Sequence, residues 1–462
     1  ESRARSVYAA VLPRPTMGKS HKRNKPPALL GEKLARRLLG ELLKLDTRVD
    51  RPIEPHAERR RSGHRGVSLA FLRAFKGFYE KRDALGMEMT AVCKDDGCAF
   101  NVCELTKSTG LSLAETVASR GLDAGEKEET DALVGPATDF FSYSWKGTEL
   151  REMLAALDRS LTKLEAQDGK RHFVWIDMFC ASQNLLRGAY LPEDAKDREA
   201  LRARDPEEYY ARKEDTDNIF ADPFDLVSAI LFFMSPLEGE WEAPDQPFLL
   251  EGRLEKLGWE STAGWTRRGS NALTRAWCIL ELATALSKKC ELHVLMGRAD
   301  LETFWEMLDD GVFGFQRVGQ VFGHIDVDDA QITKVEDREY ILGKVEALKG
   351  GLSAINTTVI TGLRRWAKSE AYARLNKMPA EKRGTSMVQE NLANMLDDMG
   401  DTKEALVLQR EKVAAERRRL GDAAVAYGEP RWELISSLNN LGAGLQAAGE
   451  LEEAEAKSML NK

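Results

Sequence analysis

Hydrophobic residues fall at helical spacing near both ends of the chain and bunch into short runs in its middle. In "LLGEKLARRLLGELLKL", Leu30, Leu34, Leu38 and Leu42 lie four apart, which predicts an amphipathic helix with a basic flank. Such a helix docks on its own protein, on a partner or on a membrane surface. "SLAFLRAFKGFYEKRDALGM" repeats the helical spacing inside a small helical segment, residues 66–135. The middle reads differently. "ATDFFSYSW", "RHFVWIDMFC", "DLVSAILFFMS", "CELHVLM" and "VFGHIDV" are compact apolar runs of strand length, with helical patterns such as "GTELREMLAALDRSLTKLEAQ" between them. Near-continuous apolar strands alternating with helices predict an α/β fold: a parallel sheet covered on both faces. It occupies residues 136–366.

Two polar stretches, about 184–222 and 236–272, interrupt this pattern and read as insertions into loops; the second carries Trp241 and Trp265. Residues 367–462 return to helical spacing. There Leu392, Gly400 and Ala405 recur as Leu441, Gly449 and Ala454, each 49 positions on. A small residue in a tight turn, then alanine where two helices touch, is what a helical-hairpin repeat requires.

Charge divides the chain. Residues 1–65 hold 17 Lys/Arg against 7 Asp/Glu, a net of +10, so the overall −8 leaves −18 on the remainder. The acidic body speaks against DNA as a partner, whereas the basic, partly disordered head suits an anionic one. No apolar run reaches the ~18 residues of a membrane span. Six cysteines in a chain of 462 residues do not make a disulfide framework, and an intracellular, cytoplasmic setting is the expectation. Residues 1–16 contain arginine and little acid, so organelle targeting stays open beside an upstream scrap before Met17. Cys93, Cys98 and Cys103, five apart, raise a zinc reading, but zinc sites pair cysteines at gaps of about two to four residues; structural thiols fit better.

Ligands of an open parallel sheet collect beyond the carboxyl ends of its strands. Those ends carry Ser142, Tyr143, Ser144, Trp145 and Lys146 after the first run, Asp177 with the loop to Asn184 after the second, and Ser235 after the third. The helix of "TRAWCILELATALSKKCELHVLM" can face the same edge. It is apolar almost all round, yet Glu281 sits mid-helix, one turn after Trp277. A carboxylate among such groups is costly unless paired, protonated or turned to a wet cleft. Side by side, Trp277 and Glu281 suit a ligand with a stackable ring and a sugar. The plainer alternative is a half-exposed rim residue bonded to Arg275 or Lys288.

"DFFSYSW" resembles the first box of Toll/interleukin-1 receptor (TIR) domains, and "FVWIDMF" their second strand leading into the next loop. "AILFFMSP" and "RAWCILELATALSKKCELHVLM" resemble the third strand, the glutamate-bearing helix and the fourth strand. The W-C-x-x-E-L run is similar to plant-type TIR domains; the E-x-x-T-A-L-S continuation is similar to an animal NAD-cleaving member. From Ser386 onward the chain resembles tetratricopeptide (TPR) repeats of the kinesin-light-chain kind, which usually recur at 42 rather than 49. The pairing is similar to TIR-like–TPR proteins of algae and protists.

This resemblance implies a flavodoxin-like TIR domain with Glu281 as catalytic carboxylate in cleaving NAD to nicotinamide and an ADP-ribose product. NAD would be substrate; no cofactor or metal is implied. Trp277, Ser142, Tyr143, Ser144, Trp145, Lys146, Asp177 and Ser235 would line the ligand site. Self-association through the TIR-like domain, and a peptide or helical protein partner at the repeats, are further implications. Many TIR domains are adaptors without activity, so a non-catalytic TIR-like and TPR scaffold stands beside the enzyme. A nucleoside-ribosyl transferase with a sugar-facing Glu is a third reading.

Overall fold

The computed structural model describes residues 31–42, 65–94, 100–183 (save 108, 110 and 182), 195–206, 223–237, 240–242, 266–268, 270–310, 314–323, 350–420 and 432–449, with scattered positions between 325 and 348. Within them the chain is mixed α/β. Six strands form one sheet: β1 (Arg65–Ser68), β2 (Val134–Pro136), β3 (Asp139–Ser142), β4 (Phe173–Trp175), β5 (Ala229–Phe233) and β8 (Glu291–Leu295), in the order β2-β1-β4-β3-β5-β8. β6 (Glu240–Glu242) and β7 (Thr266–Arg268) make a separate antiparallel ribbon.

The four strands β4, β3, β5 and β8 run parallel, with Ser142 level with Phe232 and Phe233 level with Leu295. Parallel neighbours need a crossover, and helices supply it. Leu150–Asp168 leads from β3 to β4 and ends on Gly169, whose φ of 71° a residue with a Cβ rarely adopts. Ala276–Ser287 leads into β8. β5 is buried at all five positions, as expected of a strand covered on both faces.

Two results differ from expectation. The segment 66–135 contributes strands as well as helices: β1 pairs antiparallel with β2 and with β4, so the segment is sewn into the sheet. β1 and β2 are four and three residues long, too short to show a period of two. "VFGHIDV" is not a strand: its first three residues close the helix Gly314–Gly323, whose Val318, Val321 and Phe322 pack inward at helical spacing. Four- to six-residue apolar runs fit either element until packing decides.

The amphipathic N-terminal helix, Glu32–Leu42, docks on its own protein: Leu34, Leu38 and Leu42 are buried in the main core, together with Leu39. Leu30 and the basic residues before it lie outside the described residues, as do most of both insertions, Trp265 and Cys98. From the insertions come the helix Ala195–Arg204 and the β6–β7 ribbon. Cys93 and Cys103 are buried and belong to no disulfide.

At the C-terminal end a 27-residue helix, Gly351–Lys377, packs against the Glu281 helix and against Met387–Asp398. Met387–Asp398 and Thr402–Leu420 form a helical hairpin, and Trp432–Ala447 lies against the latter. The repeated positions do what their spacing requires. Leu392 and Leu441 are fully buried, and Gly400 and Gly449 take φ values of 82° and 76° where helices end. Ala405 is buried in the hairpin seam; Ala454 lies outside the described residues.

Candidate functional site

After β3 the chain moves to β4 on one side, then crosses to β5 on the other. The crevice between β3 and β5, beyond their carboxyl ends, is therefore the switch point at which open sheets hold ligands. Ser142 is the last residue of β3, and its Oγ donates to Glu281 Oε2 at 2.6 Å. That one bond joins strand and helix across 139 positions of sequence.

Glu281 is half-buried on a helix whose Ala276, Ile279, Leu280, Leu282, Ala283 and Ala285 are buried. Burial raises its pKa from 4.5 to about 8, against the Ser142 hydrogen bond and with help from the negative charge of Asp177. Of the two cations offered as rim partners, Arg275 donates to Gln331 at 2.7 Å and Lys288 pairs with Asp225, and the groups that shift the Glu281 pKa are Ser142 and Asp177. Trp277 is half-buried one turn before Glu281 and packs on the core.

A second carboxyl sits one residue along the strand. Asp177 begins the short helix after β4 and accepts from Tyr143 Oη at 2.9 Å, Trp145 Nε1 at 2.7 Å and its neighbour Met178 N at 2.6 Å. Burial pushes its pKa up to about 6, although all three donors favour the charged form. Burial, with Asp177, also raises the Tyr143 phenol well above its usual value. Successive residues of one strand end thus address two acids: Ser142 meets Glu281 and Tyr143 meets Asp177.

The turn that follows is braced from three directions. Ser144 Oγ donates to Lys146 O at 2.9 Å, Asn271 Nδ2 donates to Ser144 Oγ at 3.0 Å and to Lys146 O, and Gly147 N donates to Glu88. Cys278, on the Glu281 helix, directs its thiol to Tyr143 O at 3.4 Å, and burial keeps that thiol protonated. Gln183 Nε2 donates to Asp177 O at 2.8 Å, and Gln183 Oε1 takes the Cys93 thiol at 3.2 Å.

The expected residues Ser142, Tyr143, Ser144, Trp145, Lys146, Asp177 and Glu281 therefore share one connected group, with Trp277 beside it. Lys146 enters through its carbonyl, and its side chain is exposed. Ser235 lies at the same sheet edge but belongs to another set: its Oγ accepts from Gly297 N at 2.5 Å, next to the Glu152 carboxylate. Asn271 and Glu88 went unnoticed in the sequence, whereas Gln183 fell within the loop to Asn184 and Cys278 within the W-C-x-x-E-L run. Asn271 stands at the end of a polar insertion, where spacing carries no signal, and Cys278 reads there only as a helix-packing residue.

Among the described residues, no group of three or more His, Cys, Asp or Glu is placed to hold a metal ion, and no helix is long and apolar enough to cross a membrane. Compared with family models, curated proteins and solved structures, the chain matches none of them.

Proposed function

We propose that the chain is a TIR-like signalling protein that cleaves NAD, with Glu281 as the catalytic carboxylate. The observation that carries this reading is the placement of Glu281. It is half-buried at the β3–β5 crevice, held by Ser142, and among the described residues the groups that act on its charge, Ser142 and Asp177, include no cation. A carboxyl kept at such electrostatic cost is characteristic of a functional site. The parallel strand order β4-β3-β5-β8 supports the flavodoxin-like arrangement of a TIR domain, since it is that fold's order with the first strand inside.

In the reaction the bond between ribose C1′ and the nicotinamide nitrogen breaks, nicotinamide leaves with the bonding pair, and water adds to C1′. Positive charge spreads over the ribose in the transition state, and an ionised Glu281 stabilises it. A cationic pyridinium arriving beside the carboxyl draws its pKa back down and favours that ionised form. Ser142 orients the carboxyl; Trp277 and Trp145 supply flat apolar walls. The helical hairpins at the C-terminal end support TPR-like capture of a peptide or helical partner, and self-association of the TIR-like unit would gate turnover.

A second reading, a TIR-like and TPR scaffold without chemistry, is favoured by Ser142 already occupying one oxygen of Glu281. Nicotinamide release from NAD, measured at several protein concentrations beside Glu281→Ala, separates the two. Release that climbs steeply with concentration and is lost in the variant is the expected result. No release from concentrated protein, with both chains folded, assigns the scaffold role.

A further inference from the structure

We propose that Asp177 is a positioning residue of the Glu281 site, tethering Trp145 and Tyr143 so that the adjacent Ser142 hydroxyl meets Glu281. The assignment rests on Glu281 being the reacting carboxylate, and its observations are independent of that. Asp177 receives three donors, two of them side chains from the turn after β3, so most of its acceptor sites are taken up in holding that turn. Tyr143 is held at both ends, its phenol by Asp177 and its carbonyl by the Cys278 thiol of the Glu281 helix. Ser142 precedes Tyr143 directly, so a turn freed at Tyr143 and Trp145 also frees the hydroxyl that orients Glu281. Gln183 locks the Asp177 backbone from the far side.

The titratable groups acting with Asp177 are Tyr143, Cys180, Cys278 and Glu281; around them, Cys93 acts on Tyr143, Glu115 on Cys180 and Arg275 on Cys278. With its pKa near 6, Asp177 gains a proton in mild acid and loses acceptor capacity for the indole.

The test compares Asp177→Asn, Trp145→Phe and the double variant in the full chain, reading KM for NAD, kcat and the emission of Trp145, taken as the difference from Trp145→Phe. Asp177→Asn is expected to lower kcat roughly ten- to a hundredfold, with a smaller change in KM. Adding Trp145→Phe to it should do little more. Trp145 emission should change below about pH 6 in the native chain and be indifferent to pH in Asp177→Asn. Additive effects on kcat, or emission that follows the same pH curve with and without the carboxylate, overturn the assignment. If Asp177→Asn does not fold, the pH dependence of Trp145 emission in the native chain decides: a flat curve overturns it. If the native chain releases no nicotinamide, the catalytic reading falls while the emission measurement still decides the tether.

Discussion

Replacing Glu281 by Gln removes one ionisation and keeps the shape, with the amide oxygen still placed to accept from Ser142. In the native chain this carboxyl ionises near 8 instead of 4.5, so between those values the folded state holds a proton that the unfolded state has released. Stability therefore falls as pH rises through that interval and levels off above it. Each pH unit within it costs ~1.4 kcal/mol, which sets a ceiling of about 5 kcal/mol above pH 8 and about 3 kcal/mol at neutrality. For a unit of this size, 3 kcal/mol corresponds to roughly 6 °C in melting temperature. Thermal melts of the native chain and Glu281→Gln at about pH 5, 7 and 8.5 measure it directly. The two should nearly coincide in acid, with the variant higher by several degrees at neutrality and by most in alkali. Parallel curves, or a variant that melts lower at high pH, would refute the argument that burial dominates the environment of this carboxyl.

Two further substitutions probe what surrounds the site. A Cβ at Gly362 would stand 2.5 Å from Leu286 Cδ1, the flexible end of a side chain where the long helix crosses the Glu281 helix, so in Gly362→Ala the clash should cost about 1 kcal/mol against roughly as much gained in helix preference. With Leu286 trimmed to Ala, the same substitution should show the gain without the clash in urea titrations; strict additivity would contradict the crossing. In the hairpin, Lys412 and Glu390 pair at 2.9 Å with side chains only 6% and 12% exposed. Lys412→Ala should cost about 3 kcal/mol by stranding the carboxylate, while Lys412→Met with Glu390→Met should regain most of it. A double variant as unstable as the single one would show that the unpaired charge is not what matters.

Much of this was readable in the residues, for reasons that differ from place to place. β5 announces itself because a strand buried on both faces must be apolar throughout, as "AILFF" is, and β3, β4 and β8 show as compact runs of Phe, Val, Trp and Leu even though the edge strand β8 is half-exposed. The hairpin turns were legible because Gly400 and Gly449 occupy a backbone conformation that disfavours other residues. The partners inside the site were not. That Glu281 meets Ser142, and Asp177 meets Trp145, depends on strand order, which helical spacing does not encode. The alternative partners Arg275 and Lys288 were reasonable neighbours on the helix, yet tertiary contacts drew them to Gln331 and Asp225. "VFGHIDV" failed because a short apolar run carries too little period to separate helix from strand.

The Gly351–Lys377 helix fixes how the first hairpin is set against the Glu281 helix. At 27 residues it is about 40 Å of continuous rod. One side lies on the Glu281 helix, and the other is bolted to the first hairpin by Lys368 to Asp401 at 2.9 Å and Glu404 at 2.6 Å, by Tyr372 to Glu404 at 2.6 Å, and by Arg364 to Asp398 at 2.8 Å. Asn391 adds a strut, donating at 2.9 Å to both Leu308 O and Asp310 O. Flexible tethers deliver a captured ligand as a diffuse local concentration that declines with tether length. A rod delivers it at one bearing. If the hairpins capture a partner as proposed, the rod would hold it in a single orientation relative to the Glu281 helix, and lengthening that rod by one residue would turn the bearing by about 100° instead of merely diluting the encounter.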